Sequence, residues 1–549
     1  MTVRPAEKKR YDALVIGSGA AGSMAVKELT ERGLDVLLLE AGRDITEADF
    51  QLPATTPEEA GISALPRLKA ALRGQPVQAR RAFFKSEMSP FLVHDRDNPY
   101  STPRGQPFLW IRGRVLGGRL HTYGRMLLRM SDYDFQGASM NGRGTDWPIT
   151  YTDVKPYYDR VESFLGLHGN ADGIPHLPDG KYAAPATLTD TEQDFKDKVE
   201  QRWPGRRVIA WRSAAPTPHR LPLGIVAARK TGRLTTFTDA VVTRITVDQK
   251  SGNANGVEFT RRLTKERGRA HADVVVLCAS TIESVRLLLN SACSRHPNGL
   301  GNSSGLLGRY FMDQTPSLVF GLATDVAGAH PEDEPPAVVD PFSPPVGGIY
   351  IPRWENLDGN SHPDFATGFA FQGAMGRHPV PGGFGLMGFG EMLPNRENQV
   401  TLAPRRTDAW GVPIPQIRCA MSHNERAMLR EQVRAVIEMV EHSGFETSFA
   451  GSALGLEAGS ALPGANPLAQ FFFRWGLRKS LALGAAIHEC GGARMGSDPA
   501  TSVLNEHSQC WDVPNLFVTD GSGFVTSGVV GPTLTIMALT ARACDYISN

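Results

Sequence analysis

Three glycines constrain this chain more than any other feature. Gly17, Gly19 and Gly22 stand in G-x-G-x-x-G spacing between a run that reads as a buried strand, Tyr11 to Ile16, and a run with helical spacing of apolar residues, Ala20 to Arg32. The first glycine permits a tight turn, the second lets backbone approach a pyrophosphate, and the third lets a helix pack closely against the strand. The free N–H groups of that helix N-terminus face the anion. Gly33 suits the helix stop. Leu34 to Glu40 (LDVLLLE) is apolar almost throughout, as expected of a parallel strand covered on both faces. Glu40 ends that strand, where a carboxylate accepts hydrogen bonds from both hydroxyls of a ribose and disfavours a phosphorylated one. The pattern predicts a βαβ unit that binds a dinucleotide. A purely structural glycine turn would need neither the helix nor the acidic residue, and these residues alone do not separate FAD from NAD.

At 549 residues the chain is too long for one hydrophobic core, so two or more lobes are expected. Its 58 lysines and arginines nearly cancel 57 aspartates and glutamates, which leaves no global field to gather nucleic acid or an anionic surface. The six cysteines (Cys278, Cys293, Cys419, Cys490, Cys510 and Cys544) include no C-x-x-C pair, against a disulfide framework or a zinc or iron-sulfur site. No metal is expected. Lys8, Lys9 and Arg10 before the apolar run Ala13 to Val26 imitate a signal peptide, but Asp12 and the three glycines interrupt it and the dinucleotide motif explains it better. A cytoplasmic protein without a membrane partner is the expectation.

Further along, a proline-, glycine- and arginine-rich stretch of little periodicity leads to the glycine-rich run Gly113 to Arg125 (GRVLGGRLHTYGR), read as irregular backbone close to a ligand. Asp146 to Leu167 reads as a turn followed by a helix. Thr235 to Asp248 alternates as a strand, and Asp273 to Ala279 (DVVVLCA) is a second buried strand, followed by Ser280 and Glu283 at capping-box spacing. The region from Ser317 to Ser480 is rich in glycine, proline and phenylalanine, with short strands such as Gly368 to Phe371 and a helix near Asn424 to His442. It reads as a mostly β lobe. Asn515 to Asp520 reads as a strand, Gly521 to Gly531 as a small-residue loop, and Pro532 opens a last helix.

These motifs, in this order, resemble the glucose-methanol-choline (GMC) oxidoreductase family from end to end: Gly17 to Gly22, RVLGG at Arg114 to Gly118, and the C-terminal blocks HECGGARMGSDPATSVLN and NLFVTDGSGF. Within the family, RVLGGR, DWPITYTDVKPYYDRVE, PNGLGNSSGLLGRYFMD and TSVLN resemble the glucoside 3-dehydrogenase large-subunit branch, near pyranose and C-glycoside oxidases. The resemblance implies a mixed α/β (α+β) fold: a Rossmann-like FAD-binding domain and a second, mostly β substrate domain, discontinuous in sequence. Residues 1–145, 231–316 and 485–549 would form the first; residues 146–230 and 317–484 would form the second. It implies FAD, oxidation of a sugar-ring or other secondary alcohol, and hydride transfer to the flavin. The acceptor is open between oxygen, a quinone and a small redox partner, and a small partner subunit is compatible.

Carried over by position, Gly17, Gly19, Gly22 and Glu40 would hold the ADP half, with Val242 contacting adenine through its backbone. Gly117 and Gly118 would approach the flavin ring, Asp520 and Gly521 the pyrophosphate and ribityl region, and Pro532 and Thr533 the pyrimidine end of the flavin. His488 stands where the family carries its catalytic histidine, and imidazole suits removal of a hydroxyl proton near neutrality. Arg494 and Met495 have at least an equal claim to packing the loop that positions His488, and Glu489 either orients a neighbour or is solvated.

Three features depart from the family. Gly531 occupies the usual place of a second histidine or asparagine, which leaves an alternative open: non-redox, lyase-like chemistry or a structural flavin. Thr122 falls where some relatives attach FAD covalently through histidine and His121 is one residue early, so FAD is expected to be non-covalent. The stretch from Arg207 to Lys230 lacks the cysteine-rich insert of some dehydrogenases of the branch.

Overall fold

The computed structural model describes residues 10–50, 64–81, 84, 86–142, 144–214, 221–323, 347–357, 359–376, 382–461 and 467–549; Lys8 and Lys9 of the leader-like stretch lie outside them. The βαβ unit forms as the hydrophobic pattern dictates. Arg10–Ile16 leads through Gly17 into the helix Ala20–Glu31, and Val36–Leu39, buried at every position, pairs with the first strand in parallel with Ala13 opposite Val36. Each fully buried leucine or valine here stabilises the fold by about 1.5–3 kcal/mol relative to exposure.

A seven-stranded sheet grows around this unit. Leu234–Phe237 adds in parallel beside Val36–Leu39, and Arg267–Leu277 adds in parallel on the other side of the first strand. Leu516–Val518 then pairs with the far end of Arg267–Leu277, while Ala240–Val247 and Ala254–Arg261 extend its near end antiparallel. Beyond the first pair, neighbouring parallel strands come from segments far apart in the chain. Ala20–Glu31 packs against Leu223–Lys230 and the C-terminal helix Thr533–Ser548. Gly224 is where the first of these contacts closes, since a Cβ there would stand 2.1 Å from the Ser23 carbonyl oxygen.

The second seven-stranded sheet is antiparallel throughout. Its order is Gly455–Leu456, Phe445–Ser452, Gln314–Ala323, Gly383–Glu391, Phe369–Met375, Ile349–Ile351 and Ile209–Ala210. Alternation along the strands divides its faces. Val319, Leu386, Phe369 and Phe371 pack with Met428 and Val436 of the helix His423–His442. Tyr350 and Ala370 point the other way, into the large core shared with the first lobe.

Four expectations need correction. Thr235 to Asp248 is two strands, because Asp239 sits in the left-handed region (φ 54°) and breaks the run. Ser280 does not cap the following helix: its own φ of 76° and the lack of a side-chain cap bond rule out a capping box with Glu283, whose carboxylate instead faces Arg286, Arg112 and Arg114. The strand placed at Gly368 to Phe371 runs over Phe369–Met375. The stretch before Gly113 contains the helix Ala64–Leu72 and the short 3-10 turns Gln78–Arg80 and Ser86–Phe91. No helix among the described residues is long and apolar enough to cross a membrane.

Candidate active site

The glycine turn is built as its spacing requires. A Cβ on Gly22 would lie 1.8 Å from the Gly17 carbonyl oxygen, and one on Gly17 would lie 2.5 Å from the Cys278 oxygen, so both positions are closed to side chains. Gly19 differs: a Cβ there would meet nothing within 4 Å. The space beside Gly19 is open. Glu40 is buried, accepting the Ser18 and Gly42 N–H groups at 3.1 and 2.7 Å and the Ser18 hydroxyl at 2.5 Å. Burial raises its pKa against those hydrogen bonds. The Ser18 hydroxyl in turn accepts the Gly117 N–H at 2.9 Å, and a Cβ on Gly118 would stand 3.6 Å from Gly19 Cα. The glycine turn, the acidic strand end and the second glycine loop therefore form one continuous edge.

The remaining expected residues gather around it. Val242 lies at a register shift in the Ala240–Val247 strand. Asp520 accepts Ser522 N–H at 3.0 Å and the hydroxyls of Ser522 and Ser284, which pins the Gly521–Gly523 turn to the helix Thr281–Asn290. Gly521 permits that approach, because a Cβ would stand 2.8 Å from Thr281 Oγ1. Pro532 begins the last helix without a side-chain cap, and Thr533 is its half-buried first residue, so first-turn N–H groups face the interior. Open space at Gly19, an acceptor at Glu40 and an uncapped helix start fit a flavin dinucleotide along this edge.

Arg119 joins the edge to the His488 loop. Its guanidinium donates to Ile487 O at 3.3 Å, Glu489 Oε2 at 2.7 Å and the Ser280 hydroxyl at 3.2 Å. Ile487, a β-branched residue at φ 62°, is strained, a conformation that costs roughly 1–3 kcal/mol and persists only where its surroundings impose it. Asp313 imposes it from the other side, accepting the His488 N–H at 3.0 Å and the Gly484 N–H at 2.7 Å. Burial, with Glu489 nearby, pushes the Asp313 carboxyl up to about 7.

The tautomer of His488 follows from its partner. The fully buried Gln314 has its amide nitrogen within reach of the carbonyls of Ser527, Gly528 and Val530, at 3.3, 2.9 and 3.0 Å. An amide end surrounded by acceptors must be the NH2 end. Gln314 Oε1 therefore faces His488 Nδ1 at 2.6 Å as an acceptor, which places the ring proton on Nδ1. Nε2 keeps its lone pair and faces Gly531, where a Cβ would lie 3.5 Å away. The Phe389 ring covers the imidazole with centroids 5.0 Å apart. Burial, then the Arg119 charge, push the His488 pKa down to about 3, so the ring is neutral at ordinary pH.

Sequence reasoning did not single out Ser18, Arg119, Asp313, Gln314 or Phe389 as functional. Ser18 had a local signal, a hydroxyl between two motif glycines. Glu489 is buried rather than solvated, and Arg494 donates to Thr501 O at 2.9 Å with its guanidinium over Tyr310, a packing role. His121 approaches the Leu116 oxygen at 2.8 Å beside the rings of Phe50 and Phe91. All six cysteines are unpaired.

Residues 224–315 and 394–540 match family models described as GMC oxidoreductase, and residues 15–49 match an NAD(P)-binding Rossmann-like domain. The chain is 29% identical to 2-methyl-1,2-propanediol dehydrogenase of Mycolicibacterium austroafricanum, covering 98% of this chain and 95% of that one. It is 23% identical to the fructose dehydrogenase large subunit of Gluconobacter japonicus, over 98% of each. With C-glycoside 3-oxidase of Arthrobacter globiformis it shares 27% identity, over 57% of this chain and 53% of the relative. In fold it resembles Aspergillus oryzae formate oxidase, with a TM-score of 0.65, 16% identity and 98% of each chain covered.

Proposed function

Because the chain belongs to the GMC oxidoreductase family and is an FAD-dependent dehydrogenase or oxidase acting on CH–OH donors, we propose that it oxidises a secondary hydroxyl of a sugar or glycoside with His488 as base. The observation that carries this reading is the free Nε2 lone pair beside Gly531, with Nδ1–H committed to Gln314. FAD, when bound, supplies a two-electron acceptor for the carbinol hydride. His488 Nε2 takes the hydroxyl proton, which makes the carbinol carbon a better hydride donor as its C=O bond forms. Gln314 holds the imidazole in the tautomer this needs, and Phe389 shields it from water. The sugar is proposed from relatives named for fructose and C-glycosides.

In this reading Gly17, Gly19, Gly22, Glu40 and Val242 hold the ADP half of FAD, and Gly117, Gly118, Asp520, Gly521, Pro532 and Thr533 hold the flavin half. The first-turn N–H groups at Thr533 offset negative charge on a reduced ring. FAD is held non-covalently, since His121 faces the Leu116 oxygen and aromatic rings. The FAD-binding domain takes residues 1–145, 231–316 and 485–549, and the substrate domain takes 146–230 and 317–484. The protein is placed in the cytoplasm, with oxygen, a quinone or a small redox partner as acceptor.

The test is anaerobic mixing of the yellow holoprotein with hexoses, glycosides and simple alcohols while flavin absorption is followed. Bleaching by a sugar that disappears in His488→Ala supports the reading. A bound flavin that no alcohol reduces overturns it in favour of lyase-like or structural-flavin function.

A further inference from the structure

The sheet face that carries Gln314 and Phe389 looks at His488, because both side chains touch its ring. Strand register states what else lies on that face. Phe389 is opposite Ala370, and Ala370 is two residues from Gln372, so Gln372 shares the face. Gln372 is directly opposite both Met387 and Tyr350, which places Tyr350 on the same face. Gln372 is diagonal to Phe389, about 7–8 Å across the pleat, and Tyr350 lies one strand further along the same face.

Two polar groups there lack partners. Tyr350 is 2% exposed, yet its hydroxyl has no hydrogen-bond partner among the described residues. The Gln372 amide also has none among them, and the residue keeps partial exposure. An unsatisfied buried hydroxyl costs roughly as much as a lost hydrogen bond, so such groups are retained where a ligand or ordered water completes them. The space beside them is open: a Cβ on Gly385, on the same strand as Met387 and Phe389, would meet nothing within 4 Å. At the sheet edge Trp211 donates its indole N–H to Ile349 O at 2.7 Å and remains only partly buried, leaving an apolar ring as a wall.

We propose that Gln372 and Tyr350, with Trp211 as an apolar wall, form the subsite that binds the non-reacting hydroxyls of a polyol substrate while His488 meets the reacting one. An amide offers both donors and an acceptor, and a phenol offers one of each, the complement of vicinal ring hydroxyls. A sugar CH face suits an indole wall, and the open space at Gly385 leaves room for the ring. This rests on the sugar reading above.

The test uses the FAD-loaded enzyme and the variants Gln372→Leu and Tyr350→Phe, which keep volume and β-propensity. Anaerobic flavin reduction is first measured on wild type with hexoses, methyl hexosides and isopropanol. The fastest sugar is then compared with isopropanol in each variant. Gln372→Leu is expected to lower the sugar-to-isopropanol ratio of kcat/KM about tenfold, equivalent to about 1.4 kcal/mol, mainly through KM. Tyr350→Phe lowers it severalfold. If wild type is reduced by a sugar but variants with the wild-type flavin spectrum keep the ratio, the subsite is wrong and the sugar reading stands. If isopropanol reduces wild type and no sugar does, both fall. If Gln372→Leu does not fold, Tyr350→Phe decides.

Discussion

The dinucleotide edge and the His488 site are built in opposite ways. Where the dinucleotide edge begins, the glycine turn and the acidic strand end, the recognition elements are backbone and one carboxylate drawn from a run of 26 residues, Gly17 to Gly42, and joined by Ser18. At His488 every contact crosses the chain: Gln314 and Asp313 come from 174 and 175 residues away, and Arg119 and Phe389 from separate elements. A dinucleotide phosphate needs dipoles and room, which a local turn supplies. A proton-transfer group needs a set tautomer and a shifted pKa, which only neighbours from elsewhere can impose.

Substitutions that separate the two regions test this contrast, and the largest effect should come from His488→Ala. Anaerobic flavin reduction by substrate is expected to slow about 10²–10⁴-fold with FAD still bound; loss of the flavin with the activity would mean the regions are not independent. Next comes Gln314→Leu, which strips Nδ1–H of its acceptor and leaves three carbonyls unsatisfied. Reduction should slow by the equivalent of about 1–3 kcal/mol, and a rate equal to wild type would remove Gln314 from the mechanism.

At the other edge, Glu40→Gln should weaken FAD binding by about 1.5–3 kcal/mol, the worth of hydrogen bonds to a charged group. Fluorescence titration of the deflavinated protein reads the affinity, and reduction at saturating FAD should match wild type. Gly531→Asn is a smaller perturbation, since its Cβ fits 3.5 Å from the imidazole. It should speed reduction by isopropanol severalfold by adding a donor near the developing alkoxide and slow it for a hexose by filling space; a parallel change in both would refute the open position as substrate room.

The smallest change concerns pH. With His488 pushed down to about 3, kcat/KM for reduction should show no acid limb from this residue between pH 8 and about 5, near its unperturbed pKa of about 6.5. Arg119→Gln removes a charge that depresses this pKa and should move the limb upward. The stability sign follows: the unfolded chain protonates this imidazole below about pH 6.5 while the folded one does not, so the fold loses stability as pH falls from there toward 3.

Legibility followed the same division. The glycine turn, the strand leading to Glu40 and the helix opening after Pro532 were readable because periodicity and turn chemistry act over a few residues. The Ser280 cap misread shows the limit, since spacing suggested a capping box and a φ of 76° forbids it. Gln314 sits in an unremarkable Asp-Gln pair, and Gln372 and Tyr350 gave no signal, because their neighbours are set by antiparallel register between segments far apart in the chain.

The chain's own order of residues determined that a dinucleotide lies against its first turn, since only glycine satisfies the steric and conformational demands at Gly17 and Gly22. It also carried the motif around His488. Tertiary structure decided which imidazole nitrogen is free, how far its pKa falls, and which side chains face it across the second sheet. Those properties depend on burial and on the field of distant groups, and neither exists until the two lobes close on each other.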